Sequence, residues 1–137
     1  MIRIAVSSEP RLLHILRCVV RCFAQDAGFT AEEADCLSMA IDEGASNIIR
    51  HTYGNCDNAR LALEIRSYPD RMEFALEDSG PKVRMESLEP RPLDEVRPGG
   101  LGTYFMKCFM DSVAFDEHFP DGNRLQLVKY IPRKGVA

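Results

Sequence analysis

Asp42-Glu43-Gly44-Ala45-Ser46-Asn47, followed by His51, sets a carboxylate and an amide one helical turn apart. Successive helical side chains rotate by about 100°, so Glu43 and Asn47 project within roughly 40° of each other. Leu37, Ile41 and Ile48 lie on another side of the same helix, so the pair can border a cavity while the helix stays anchored in a core. Two further stretches bear on the same site: Glu77-Asp78-Ser79-Gly80, closing an alternating strand, and Pro98-Gly99-Gly100-Leu101-Gly102-Thr103, opening an apolar helix. A carboxylate and amide on one face, an aspartate at a strand end and a phosphate-sized glycine corner together suggest a Mg-nucleotide site.

The rest of the chain divides by its periodicities. Met1-Ile-Arg-Ile-Ala-Val6 reads as a strand. Leu12, Leu16, Val19 and Phe23 place an apolar stripe on a first helix that ends at Gly28. Thr30 with Glu33 three residues on is a capping box, which starts a second helix near Ala31. That helix continues through Leu37, Ile41, Gly44 and Ile48 and stops near Tyr53-Gly54-Asn55. The period then changes to two. Leu61, Leu63 and Ile65, the turn Tyr68-Pro69-Asp70, then Met72, Phe74 and Leu76 predict a hairpin with one buried face.

Residues 80 to 100 hold Pro90, Pro92 and Pro98 beyond Pro81 and sustain no period, which predicts a long loop of the kind that is functional or mobile. A helix over Leu101–Met110 follows, then strands over Val113–Phe115 and Leu125–Tyr130 around the turn Pro120-Asp121-Gly122. Strands joined by tight turns pair antiparallel, and three amphipathic helices can cover one face of the sheet. The expected fold class is therefore an α/β two-layer sandwich.

Composition narrows the activity. At 137 residues and 45% apolar content the chain fits one domain with one core. A formal charge of −4 and scattered basic residues argue against binding a nucleic-acid backbone. No apolar run approaches the roughly 20 residues of a membrane span, which predicts a soluble intracellular protein. The five cysteines show no zinc or redox spacing and read as buried reduced thiols, and the three histidines do not cluster.

Each candidate has a plain reading beside a chemical one. Glu43 and Asn47 fit a solvated helix edge. They also fit a site in which the Asn carbonyl is a hard oxygen ligand for Mg²⁺ and Glu43 takes a proton from an incoming hydroxyl. Asp78 fits the start of a turn. Aimed into a pocket, its acceptor-only carboxylate fits the exocyclic amine of adenine and rejects guanine, with Gly80 turning the backbone beside the base. The Gly99–Gly102 corner fits a hinge, or an anion cradle whose N–H groups converge on phosphate.

In combination the three stretches resemble the GHKL ATPase superfamily, most closely the anti-sigma factor serine kinases of bacteria. Glu43-Gly44-Ala45-Ser46-Asn47-Ile48-Ile49-Arg50-His51-Thr52-Tyr53 is similar to that family's N-box, and Asp78-Ser79-Gly80 to its first glycine box. Gly99-Gly100-Leu101-Gly102-Thr103-Tyr104-Phe105-Met106 with Met110-Asp111-Ser112-Val113 is similar to its second.

The resemblance implies the Bergerat fold, a mostly antiparallel sheet covered on one face by helices, as a single domain over residues 1–137. It implies Glu43 as general base, Asn47 as nucleotide and Mg²⁺ ligand, and Asp78 as the adenine contact supported by Gly80. Gly100, Leu101, Gly102 and Thr103 would lie along the phosphates. Residues 81–98 would form an ATP lid carrying Lys82, Arg84, Arg91 and Arg97. Lys82 stands where many relatives have a glycine, and Asn123 where kinase relatives often carry a threonine near the base.

The expectation that follows is a cytoplasmic bacterial protein that binds ATP and Mg²⁺ and phosphorylates a serine on an anti-anti-sigma (STAS) partner. It would thereby control a sigma factor, with no direct nucleic-acid or membrane partner. Relatives often dimerise, so a homodimer is a further expectation. The alternative is an ATP-dependent protein-binding switch of the same fold without kinase activity, for which Lys82 speaks.

Overall fold

In a computed structural model, the structure describes residues 1–7, 9–52, 60–81 and 100–132, the side chains at 10, 51, 52 and 100–102 excepted. Its elements are β1 (Ile2–Ser7), α1 (Pro10–Ala27), α2 (Ala31–Thr52), β2 (Arg60–Ser67), β3 (Arg71–Asp78), α3 (Gly100–Phe109), β4 (Ser112–Phe115) and β5 (Asn123–Tyr130). This is the order the periodicities predict, with β5 beginning two residues earlier than expected. The predicted lid, with Lys82, Arg84, Arg91 and Arg97, lies outside the described residues apart from Pro81.

Local chemistry explains where the helices stop and start. Gly28 takes φ +113°, and its N–H bonds Gln25 O while Phe29 N–H reaches back to Ala24 O, which closes α1 with a left-handed cap. Glu33 N–H donates to Thr30 Oγ1 at 3.1 Å and Thr30 N–H donates to Glu33 Oε1 at 2.8 Å, the reciprocal pair expected of the capping box. At the end of α3, the Lys129 ammonium from β5 donates to the Phe109 carbonyl at 2.8 Å, placing a cation at the negative end of the helix.

The sheet runs β1-β2-β3-β5-β4, and every pair is antiparallel. Alternation gives it two unlike faces. Leu61, Leu63, Ile65, Met72, Phe74, Leu76, Leu125 and Leu127 are buried toward the helices, where they join Leu13, Leu16, Val20, Leu37, Ile41 and Ile48 in one apolar cluster. The opposite face carries a lattice of charges. Arg3 pairs with Glu64 and Glu77, Arg124 with the same two carboxylates, and Arg66 with Glu64 at 2.6 Å. Burial opposes ionisation of Glu64, but hydrogen bonds from Arg66 and Arg124 outweigh it and hold the carboxyl below its ordinary range.

Two expectations are corrected here. The buried stripe of α1 is Leu13, Leu16, Val20 and Ala24, while Phe23 is 36% exposed and Leu12 and Val19 are only half-buried. The helix has apolar residues on two adjoining faces, and the one carrying small Ala24 packs inward. The described cysteines are free thiols, but Cys18, Cys22 and Cys108 are exposed and Cys36 half-buried, because they lie on helix faces turned from the core; Cys56 lies outside the described residues. His14 is exposed on α1 beside Cys18.

Candidate functional site

Gly44 determines how closely α2 can approach its neighbours. A Cβ there would meet Leu76 Cδ1 at 2.9 Å and Leu125 Cδ2 at 3.4 Å, so the bare α-carbon lets the helix press onto β3 and β5 beside Met106 of α3. This contact sets the two flanking positions of the sequence motif against α3.

Glu43 and Asn47 both reach Thr103. Asn47 Nδ2 donates to Thr103 Oγ1 at 3.0 Å, and the threonine hydroxyl donates to Glu43 Oε1 at 3.3 Å. Asn47 and Thr103 are buried, whereas Glu43 is half-buried. Arg50 completes the group: its guanidinium donates to Asn47 Oδ1 at 2.5 Å and to Glu43 Oε1 at 3.5 Å. The sequence reading gave Arg50 no role. Its spacing of three from Asn47 and seven from Glu43 is the signal that could have found it, since helical neighbours at those intervals share a face.

These contacts tune the carboxylate. Burial pushes the Glu43 carboxyl above its ordinary range, and the adjacent Asp42 charge adds to that. Arg50, the Thr103 hydroxyl and the Asn47 amide pull the other way. A carboxylate raised but still held by a cation and a hydroxyl has the character of a general base. The oxygens of Asn47, Glu43 and Thr103 are hard donors of the kind Mg²⁺ takes while keeping water and phosphate as its other ligands. Among the described residues no three His, Cys, Asp or Glu side chains converge into a closed metal cage.

A second polar group ends the helix-facing row of the sheet. Asp78, two residues beyond Leu76, faces Asn123, two before Leu125, across the β3–β5 register. Both are buried. Asp78 Oδ1 accepts from Gly80 N–H at 2.8 Å and from Asn123 Nδ2 at 3.0 Å, and Asn123 Nδ2 also donates to Pro81 O at 2.7 Å. Asp78 Oδ2 is buried and has no hydrogen-bond partner among the described residues. A buried acceptor left without a donor costs on the order of 1–3 kcal/mol, so this oxygen fits a ligand donor such as the amine of adenine.

Of the positions expected to line a site, Glu43, Asn47 and Thr103 are hydrogen-bonded together, and Asp78 is bonded to Gly80. Gly100, Leu101 and Gly102 form the first turn of α3 rather than a free loop. Backbone N–H groups in such a turn have no partners inside the helix, which suits an anion. Gly44 joins the groups, because the residue it touches on β3, Leu76, lies two positions from Asp78.

The chain is similar to known proteins along most of its length. Residues 6–129 match the family model described as the histidine kinase-like ATPase domain. The serine-protein kinase RsbW of Bacillus subtilis is 27% identical over 138 residues, covering 95% of this chain and 85% of that protein. RsbW of Listeria monocytogenes serotype 4a is 26% identical, covering 98% of this chain and 90% of its own. Among solved structures, the mycobacterial sensor histidine kinase MprB superposes with a TM-score of 0.55 at 14% identity, covering 94% of this chain and 97% of that one. The histidine kinase domain of a blue-light-activated kinase from Erythrobacter litoralis gives 0.56 at 11% identity, covering 90% and 61%.

Proposed function

Because this chain belongs to the histidine kinase-like ATPase domain family, we propose that it is an ATP-binding anti-sigma factor that phosphorylates a serine on an anti-anti-sigma (STAS) partner. Control of a sigma factor in the bacterial cytoplasm would follow. The observation that carries the nucleotide reading is Asp78 Oδ2, a buried carboxylate oxygen without a donor among the described residues. The similarity to the RsbW serine-protein kinases, over nearly the whole chain, supports the kinase reading.

Bound Mg·ATP would supply the electrophilic phosphoryl group and neutralise its charge. The chain's own residues do the rest by positioning, which dominates catalysis in such transfers. Asp78 accepts the adenine amine. Asn47 would hold the metal through its carbonyl oxygen, the atom to which Arg50 donates in this structure. Glu43 takes the proton of the serine hydroxyl, and the Thr103 hydroxyl holds the carboxylate in place.

Calorimetric titration with ATP in magnesium buffer tests binding, and transfer of label from ATP to a candidate STAS protein tests the kinase. A protein that binds ATP and transfers nothing is the switch without kinase activity. Asp78→Asn is expected to weaken ATP binding roughly 5- to 150-fold, the equivalent of 1–3 kcal/mol. The variant keeps an oxygen for Gly80 and Asn123 but turns an amide toward the adenine amine, donor against donor. Unchanged affinity would remove Asp78 from the base pocket.

Arg50→Met gives a pH signature. Without the guanidinium, the Glu43 carboxyl rises further, so it is protonated at higher pH and the acidic limb of the pH–rate profile moves to more alkaline values. A limb that stays in place, measured across pH 5–8 under saturating ATP, would separate Arg50 from the base.

A further inference from the structure

Asn123 is buried, and both hydrogens of its amide are committed: one to Asp78 Oδ1 and one to Pro81 O. The side chain is therefore pinned at two points and has no N–H left for a ligand. Its effect falls on Asp78 instead. With Gly80 N–H on the same oxygen, Oδ1 is fully engaged, and the carboxylate presents a single oxygen, Oδ2.

That distinction matters for purines. Adenine offers its exocyclic amine beside a ring nitrogen acceptor, and one carboxylate oxygen suffices to read it. Guanine offers two adjacent donors, the N1 hydrogen and the N2 amine, which match the two oxygens of a carboxylate side by side. We propose that Asn123 is a specificity-determining positioning residue: by engaging Asp78 Oδ1 it makes the carboxylate a one-oxygen reader, which accepts adenine and denies guanine its paired contact. The inference rests on the nucleotide reading above and goes beyond it: the rejection of guanine expected of Asp78 holds at a single carboxylate oxygen, and Asn123 is what restricts Asp78 to one.

Location supports this role. Asn123 is the first residue of β5 and the register partner of Asp78, and it is held there because Gly122 lets the preceding turn close on the Asp78 backbone. A site whose polar groups are built for one donor pattern rejects the other strongly, because mismatched groups stay unpaired.

The test is the affinity of the full chain for ATP, GTP and inosine triphosphate, which keeps guanine's N1 hydrogen but lacks the N2 amine. Calorimetry in magnesium buffer is expected to give, for the wild type, tight ATP and equally weak GTP and inosine triphosphate. In Asn123→Leu, close in shape but without donors, GTP is expected to gain about tenfold over inosine triphosphate, one added hydrogen bond's worth, and the ATP preference to narrow accordingly.

Parallel shifts of all three nucleotides, or a GTP to inosine triphosphate ratio unchanged in Asn123→Leu and Asn123→Ala, would overturn the assignment while leaving ATP binding intact. Wild-type protein that already binds GTP several-fold tighter than inosine triphosphate overturns it without any variant. If the folded wild type binds none of the three, the nucleotide reading falls and this inference with it.

Discussion

Glu43→Gln is expected to keep ATP binding and lose phosphotransfer by about 10²–10⁴-fold, the usual contribution of a positioned base. The amide preserves the shape of the side chain and an oxygen for the Thr103 hydroxyl, so the α2–α3 contact survives. What disappears is the proton acceptor. Single-turnover transfer of label to a STAS protein, read beside calorimetric ATP affinity, checks both halves. Full transfer in the variant would move the base elsewhere.

The same variant carries a stability signature. Burial raises the Glu43 carboxyl, so its contribution to stability is fully present below the unfolded-state pKa and is lost as pH rises through the folded one. At neutral pH the ionised carboxylate is therefore a burden on the fold. Glu43→Gln should melt higher than wild type near pH 7, and the two melting curves should converge as the pH falls below the carboxylate range.

Gly122→Ala is expected to destabilise the protein by about 3–5 kcal/mol, a large share of the roughly 5–15 kcal/mol that a domain possesses. Gly122 sits at φ +120°, where a side chain is strained, and a Cβ there would meet Asp78 O at 1.9 Å and Ser79 Cα at 2.8 Å. The obstacles are backbone atoms, which cannot rotate aside as the tip of a leucine can. Relief requires the turn before β5 to withdraw, and Asn123 then leaves Asp78. Urea unfolding should show a lower midpoint, and whatever native protein remains should have lost affinity for ATP. A midpoint within experimental error of wild type would mean that the turn moves freely.

Features set by near neighbours were legible before the fold was known. Thr30 and Glu33 announce their capping box, Gly28 ends its helix, and the four-residue spacing of Glu43 and Asn47 places them on one face, because each depends only on backbone geometry within a turn. Features set by distant partners were not. The first helix carries Leu12, Ile15, Val19 and Phe23 beside Leu13, Leu16, Val20 and Ala24, and only packing decides which set goes inward. The engagement of Asn47 and Glu43 with Thr103 joins residues 56 and 60 positions apart. Asn123 lies 45 residues from Asp78, so its hold on the carboxylate depends on a strand pairing that one sequence does not display.

Along β2, β3 and β5, buried leucines stand next to charges that face the other way: Leu63 then Glu64, Leu76 then Glu77, Arg124 then Leu125. An insertion or deletion of one residue inside any of these strands would carry the charges beyond it into the oil and the leucines into water. Descendants of this sequence are thus free to change length in their connections, while within the three central strands a single-codon indel is close to lethal to the fold.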